Sequence, residues 1–241
     1  MPSLQIRGLN AGYGKLQILF DVSFSAPSEK ITVIVGPNGS GKSTTLKTIF
    51  GLTTIYSGEI LFDGKNIAGL PPHRIAKMGI AYVPQTDNVF AKLTVKENLV
   101  MATYGMDESS AQDRVEEVLE MFPILKERLD QRAGTLSGGE RQMLAIGIAL
   151  IRRPKLMLFD EPTAALAPKI AIEILDIIAR LRDEYKITIL LVEQNAKKAL
   201  EYGDRAVLLV GGRVAFEGEA EELLHHPDLA RMYLGLVAGA E

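Results

Sequence analysis

The sequence predicts an α/β fold with three parts: a core of mainly parallel sheet, an antiparallel β edge and an inserted helical segment. Three observations carry that reading. Short β-branched runs separated by turn residues fill the first hundred positions. Over residues 94–151 the apolar positions change to helical spacing. Apolar runs then return, each followed by a helical pattern, as parallel strands joined by crossover helices require.

In chain order, residues 4–6, 22–24, 31–35, 59–62 and 80–83 read as strands, and Asp63-Gly64 marks a tight turn after the fourth. Thr94-Val95-Lys96-Glu97 matches a capping box, in which the Thr hydroxyl and the Glu carboxylate each accept from the other's backbone N–H and so start a helix. Val115, Val118, Leu119 and Phe122 then recur at i, i+3, i+4 and i+7, lining one helix face. A strand over 156–159 precedes a helix from Pro168, where Ile170, Ile174, Ile177, Ile178 and Leu181 share a face. Residues 187–192 are an apolar run, as expected of a strand buried on both sides. A helix near 195–202 follows, and 206–210 with 214–216 close as a hairpin around Gly211-Gly212. The expected organisation is one domain in three stretches. Residues 1–93 are expected to form the first part of the core with a β subdomain, 94–151 a helical subdomain, and 152–241 the second part of the core.

Composition bounds the function. The 241 residues carry 47% hydrophobic and 24% charged side chains, which excludes a disordered chain. A net charge of −3 argues against a general nucleic-acid binder. With no cysteine, disulfide scaffolds, thiolate zinc sites and a catalytic Cys are all excluded. No apolar run approaches the ~18 residues of a membrane span, and Met1-Pro2-Ser3-Leu4 lacks a signal pattern. The expectation is a soluble cytoplasmic protein that meets a membrane only through a partner.

Gly36-Pro37-Asn38-Gly39-Ser40-Gly41-Lys42-Ser43 fits G-x-x-x-x-G-K-[ST], a phosphate-binding loop, with a strand running in and a helix running out. Glycines let the backbone fold into a nest, so that N–H groups from about Asn38 to Thr44 point at phosphate oxygens. The positive end of the helix adds to that field. Lys42 would reach the β- and γ-phosphates of ATP, and Ser43 would ligate Mg²⁺. The alternative, a structural Gly-rich turn, does not account for that strand–loop–helix context.

Leu156-Met157-Leu158-Phe159-Asp160-Glu161 is an apolar strand ending in two carboxylates, at the edge where α/β sheets bind ligands. Successive strand residues point to opposite faces, so the two acids take different roles. Asp160 suits Mg²⁺ coordination; Glu161 suits deprotonating the attacking water as general base. A solvated loop after a core strand is the plainer reading of these acids taken alone.

Leu136-Ser137-Gly138-Gly139-Glu140-Arg141-Gln142 reads as an N-cap Ser followed by a helix from about Glu140, a second helix start able to meet phosphate. This segment resembles the signature motif of ABC-type ATPases, most often L-S-G-G-Q, and the remaining motifs stand in that family's order and spacing. The resemblance implies that Tyr13 stacks on adenine and that Gln85, in Val83-Pro84-Gln85, senses the γ-phosphate and Mg²⁺ and links to the transporter. Without the family, Tyr13 would be surface packing and Gln85 an ordinary loop amide. The resemblance further implies a head-to-tail dimer, with Ser137, Gly138 and Gly139 touching the γ-phosphate held by the partner subunit.

Two positions depart from the family pattern. Gln194, in Leu191-Val192-Glu193-Gln194-Asn195, stands where a switch histidine is usual; it can hydrogen-bond phosphate or water but carries no proton. Ala164-Ala165-Leu166-Ala167-Pro168 lacks the usual Asp, although Pro168 suits a first helical position. These departures, with the tail Met232-Tyr233-Leu234-Gly235, look like the ATP-binding subunits of branched-chain amino acid importers, among which Gln85 is itself a departure from a common acidic residue. The implied partners are transmembrane permease subunits, a second ATPase subunit (the same or different) and, indirectly, a solute-binding protein, with no nucleic acid. The implied location is the inner face of the cell membrane, reached through the permeases. The alternatives are a lipid or lipopolysaccharide exporter ATPase and a weakly hydrolysing regulatory subunit. His225-His226 reads as an exposed helix end.

Overall fold

A computed structural model describes residues 2–86 and 88–226; the tail motif at 232–235 lies outside them. The chain opens with a long hairpin, β1 (Pro2–Tyr13) and β2 (Leu16–Pro27). Sequence pattern marked only 4–6 and 22–24 of these strands. Register shifts between Ile6 and Leu9 and again before Ala11 break the period-two alternation on which that reading relied.

β3 (Ile31–Val35), buried at every residue, leads through the glycine-rich loop into α1 (Lys42–Ile49). β4 (Thr54–Phe62) turns through Asp63 and Gly64, at φ 47° and 77°, into the short β5 (Lys65–Asn66). Positive φ at both turn residues is what a two-residue hairpin demands. A short helix that the sequence reading passed over, α2 (Pro72–Lys77), precedes β6 (Ile80–Val83).

The next stretch is helical: α3 (Val95–Ala102), α4 (Glu108–Met121), α5 (Pro123–Lys126), a 3₁₀ turn at Ala133–Thr135 and α6 (Gly138–Leu150). The capping box before α3 is complete, with Thr94 N donating to Glu97 Oε2 at 2.7 Å and Glu97 N to Thr94 Oγ1 at 3.1 Å. β7 (Leu156–Asp160), α7 (Pro168–Asp183, with Pro168 first) and β8 (Thr188–Val192) restore the α/β alternation. Then come α8 (Ala196–Tyr202), the hairpin β9 (Arg205–Val210) and β10 (Arg213–Glu219), and α9 (Ala220–Leu224), with His225 as its C-cap.

Two sheets result. A four-stranded antiparallel sheet runs β2-β1-β4-β5, and a six-stranded sheet runs β10-β9-β3-β8-β7-β6, parallel except for β10. Strand alternation sends Ile31, Val33 and Val35 into one core with α3, α4, α6 and α7, and Ile34 into a second core with the other sheet and α1. Each such fully buried aliphatic side chain contributes roughly 1.5–3 kcal/mol. The sheet between these two cores is a rigid platform, and it carries five parallel strand ends to one edge. Among the described residues no helix is long and apolar enough to cross a membrane.

Candidate active site

At that edge β3, β8, β7 and β6 end side by side, and the predicted residues follow directly on them. The loop after β3 can be built only with glycine at two places. A Cβ on Gly36 would lie 2.1 Å from the Leu209 carbonyl oxygen, and Gly41, at φ 102°, forms the N-cap of α1. Two backbone bonds hold the loop, Ser40 N to Pro37 O at 3.2 Å and Gly212 N to Ser40 O at 3.0 Å. α1 opens with no side-chain cap and no acidic residue in its first turn, so no side chain of its own caps the first amides or offsets the positive end of its dipole. Asn38 and Gly39 are exposed on the loop, and Thr44 is buried in the first turn. Ser40 Oγ is buried without a hydrogen-bond partner in the structure, an orphan of the kind a ligand satisfies.

Lys42, only 4% exposed, folds back to donate to Gly36 O at 2.9 Å and Pro37 O at 3.1 Å. Burial pushes its ammonium below the usual lysine range, and Glu161 and Asp160 pull it back up. A desolvated cation resting on two carbonyls would gain from an anion lodged in the loop.

Ser43 Oγ donates to Asp160 Oδ1 at 2.7 Å, and the Tyr82 hydroxyl donates to Asp160 Oδ2 at 2.9 Å. Burial first, then the Asp160 charge, pushes the Tyr82 hydroxyl up, so it stays a donor. Sequence reading missed Tyr82. Its only signal was an aromatic with a polar tip one strand away from an acid, which needs the β6–β7 pairing to be meaningful. The Ser43–Asp160 pair fits Mg²⁺, a hard cation that takes hydroxyl and carboxylate oxygens. Among the described residues no group of three or more His, Cys, Asp or Glu could hold a metal, so phosphate and water oxygens would complete such a shell.

Glu161 lies at φ 48°, a left-handed conformation that costs a non-glycine residue on the order of 1–3 kcal/mol. Its carboxylate meets Gln85, whose Nε2 donates to Glu161 Oε2 at 3.2 Å. The two acids therefore keep different company, Asp160 with Ser43 and Tyr82 and Glu161 with Gln85. At the end of β8, Glu193 is 3% exposed, and Gln194 follows in an exposed turn. Tyr13 ends β1 with 44% of its surface exposed.

The second helix start is built differently. α6 begins at Gly138 and not at Glu140, because Ser137 and Glu140 form a full capping box: Ser137 N donates to Glu140 Oε2 at 2.8 Å, and Glu140 N to Ser137 Oγ at 3.3 Å. Glu140 also pairs with Arg128 at 2.8 Å. A Cβ on Gly139 would meet Ile170 Cγ2 at 2.5 Å, so α6 and α7 pack closely here, while Ser137 and Gly138 stay exposed. Among the described residues no hydrogen bond joins residues 137–139 to the loop at 36–44.

A P-loop cassette with a second, exposed helix start is the class this fold and geometry define. The chain belongs to the ABC transporter family, whose model matches residues 19–164, and it is an ATP-hydrolysing cassette of that family. It is 56% identical to a probable branched-chain amino acid transport ATP-binding protein, LivF, of Archaeoglobus fulgidus, over 95% of this chain and 97% of that protein. It is 48% identical to the high-affinity branched-chain amino acid transport ATP-binding protein BraG of Pseudomonas aeruginosa, over 92% and 95%. Among solved structures, the ADP conformation of an ATP-binding cassette of an ABC transporter superposes with a TM-score of 0.86 at 30% identity, covering 98% of this chain and 99% of that one.

Proposed function

We propose that this chain is the ATP-hydrolysing subunit of an importer for branched-chain amino acids, paired head to tail with a second ATPase subunit and seated on permeases at the inner face of the membrane. Residues 1–93 and 152–241 act as the nucleotide-binding core and 94–151 as the helical part that presents Ser137, Gly138 and Gly139 to the partner's nucleotide. The carrying observation is the convergence of Ser43 on Asp160 and of Gln85 on Glu161 beside a glycine nest with bare amides. The two amino acid transport relatives support the choice of solute.

Gly36, Asn38, Gly39, Ser40, Gly41 and Thr44 line the nest that takes the phosphates, and Tyr13 carries the adenine. Lys42 would exchange its two carbonyls for the β- and γ-phosphates, and Ser43, Asp160 and Gln85 are the residues that would hold Mg²⁺. Mg²⁺ bound there would supply positive charge that neutralises the triphosphate as it is cleaved. Glu161 orients a water and accepts its proton as the water oxygen bonds to the γ-phosphorus. The bond to the β-phosphate oxygen breaks, leaving ADP and inorganic phosphate. Gln194 offers a hydrogen bond to the phosphoryl group without exchanging a proton.

Glu161→Gln keeps the shape but removes the base. The expected result is a kcat lowered about 10²–10⁴-fold with ATP binding retained, and an ATP–Mg²⁺-dependent dimer in solution scattering. Unaltered turnover would remove Glu161 from the role of base. For the solute, ATPase activity in vesicles with the permeases should rise with a binding protein loaded with leucine, isoleucine or valine. A rise with lipopolysaccharide export components instead would turn the reading to an exporter.

A further inference from the structure

Glu161 sits in the left-handed region at φ 48°. A non-glycine residue keeps such a conformation only where its surroundings over-determine it. Three hydrogen bonds do so here. Glu161 N donates to Val192 O at 2.9 Å, Ala164 N to Glu161 O at 3.1 Å, and Thr163 N to Glu193 Oε1 at 3.0 Å. The first two are backbone bonds that many side chains would permit. The third depends on one side chain. Glu193 is 3% exposed, and its other oxygen, Oε2, accepts from Gln194 N at 3.2 Å. One buried carboxylate therefore ties the turn that carries the base to the turn that carries Gln194.

We infer that Glu193 is a positioning residue for hydrolysis: it clamps residues 161–163 to the end of β8 and so aims the Glu161 carboxylate. A buried acid is an expensive way to hold a loop, and burial pushes its carboxyl above the usual carboxylate range, against the two N–H donors that favour the charge. Its position explains the expense. An apolar side chain at 193 would leave Thr163 N–H without its acceptor and the strained residue two places earlier with one restraint fewer. Glu193 makes no hydrogen bond to Ser43 or Lys42, so among the described contacts the clamp reaches the phosphate cradle only through Glu161.

The inference rests on Glu161 being the base, and the experiment separates the two claims. ATPase kinetics and ATP affinity are measured on the full-length wild type, Glu161→Gln, Glu193→Ala and Glu193→Gln. Glu193→Ala should lower kcat about 10–100-fold with KM and ATP affinity within about threefold of wild type. Glu193→Gln, which keeps one acceptor and the same length, should recover most of that loss; it also serves should the alanine variant fold poorly. A kcat for Glu193→Ala within twofold of wild type, or a parallel loss of kcat and ATP affinity that Gln does not rescue, overturns the clamp. If Glu161→Gln itself turns over normally, the failure belongs to the assignment of the base.

Discussion

The two helix starts proposed to hold phosphate are built on opposite rules. α1 has Gly41 as its N-cap, with no side-chain cap, no first-turn acid and a lysine folded back on the loop; α6 has Ser137 as its N-cap, with a complete capping box and an ion pair behind it. The first is locked by backbone geometry and leaves its donors to a ligand. The second satisfies its own donors first and presents a Ser hydroxyl and an exposed glycine. A site that grips nucleotide within its own chain gains from unsatisfied amides. A surface that meets nucleotide only when another chain arrives must be stable while it waits, and the capping box supplies that stability.

The largest effect that tests this contrast is on glycine. Gly36→Ala would press a methyl against the Leu209 carbonyl oxygen, 2.1 Å away in the present backbone, and neither group can swing aside. We expect a loss of about 3 kcal/mol or more in urea unfolding. Gly138→Ala meets only the end of the Leu166 side chain, at 2.9 Å, and should cost less than about 1 kcal/mol. Equal costs would erase the distinction between a backbone-locked loop and a capped helix.

Next is charge. Lys42→Ala should weaken ATP binding on the order of 100-fold by calorimetry, because a desolvated ammonium loses its place beside phosphate. Ser137→Ala should leave ATP affinity of the single chain unchanged, since its helix start is proposed to serve the opposite polypeptide. Weakened binding in Ser137→Ala alone would reverse the assignment of the two starts.

The smallest effect is at Glu140. Replacing it with Ala removes half of the capping box and the Arg128 pair, for about 1 kcal/mol of stability. The Ser137 N–H, helped by Arg128, holds the Glu140 carboxyl below the usual carboxylate range. A depressed acid contributes above its unfolded pKa and stops contributing as pH falls through the folded one. The wild-type advantage over Glu140→Ala should therefore be complete at neutral pH and shrink below about pH 4.5. An advantage that grows on acidification would contradict the capping bond.

Much of this was legible in residue order because the relevant forces are local. A glycine–lysine–serine run between an apolar strand and a helix, a Ser or Thr three residues before Glu, and Pro168 at a first helical turn are short-range arrangements whose physics acts within a few residues. Strand length was less legible. β1 and β2 each reach 12 residues, yet with bulges breaking the alternation only 4–6 and 22–24 were marked. The short α2 was invisible for a related reason, since six residues hold too few turns for a period to stand out.

What the order of residues determined without help was the chemistry on offer: a nest for phosphate, two acids at a strand end, and a second helix start. Each needs only neighbours in sequence. Which groups meet was left to the packing of the sheet. Only side-by-side strands 6, 7 and 8 could set the Tyr82 hydroxyl against Asp160, aim Gln85 at Glu161 and bury Glu193 under Thr163. Those contacts join residues 30 to 78 positions apart, where a linear pattern carries no distance and only the folded sheet supplies one.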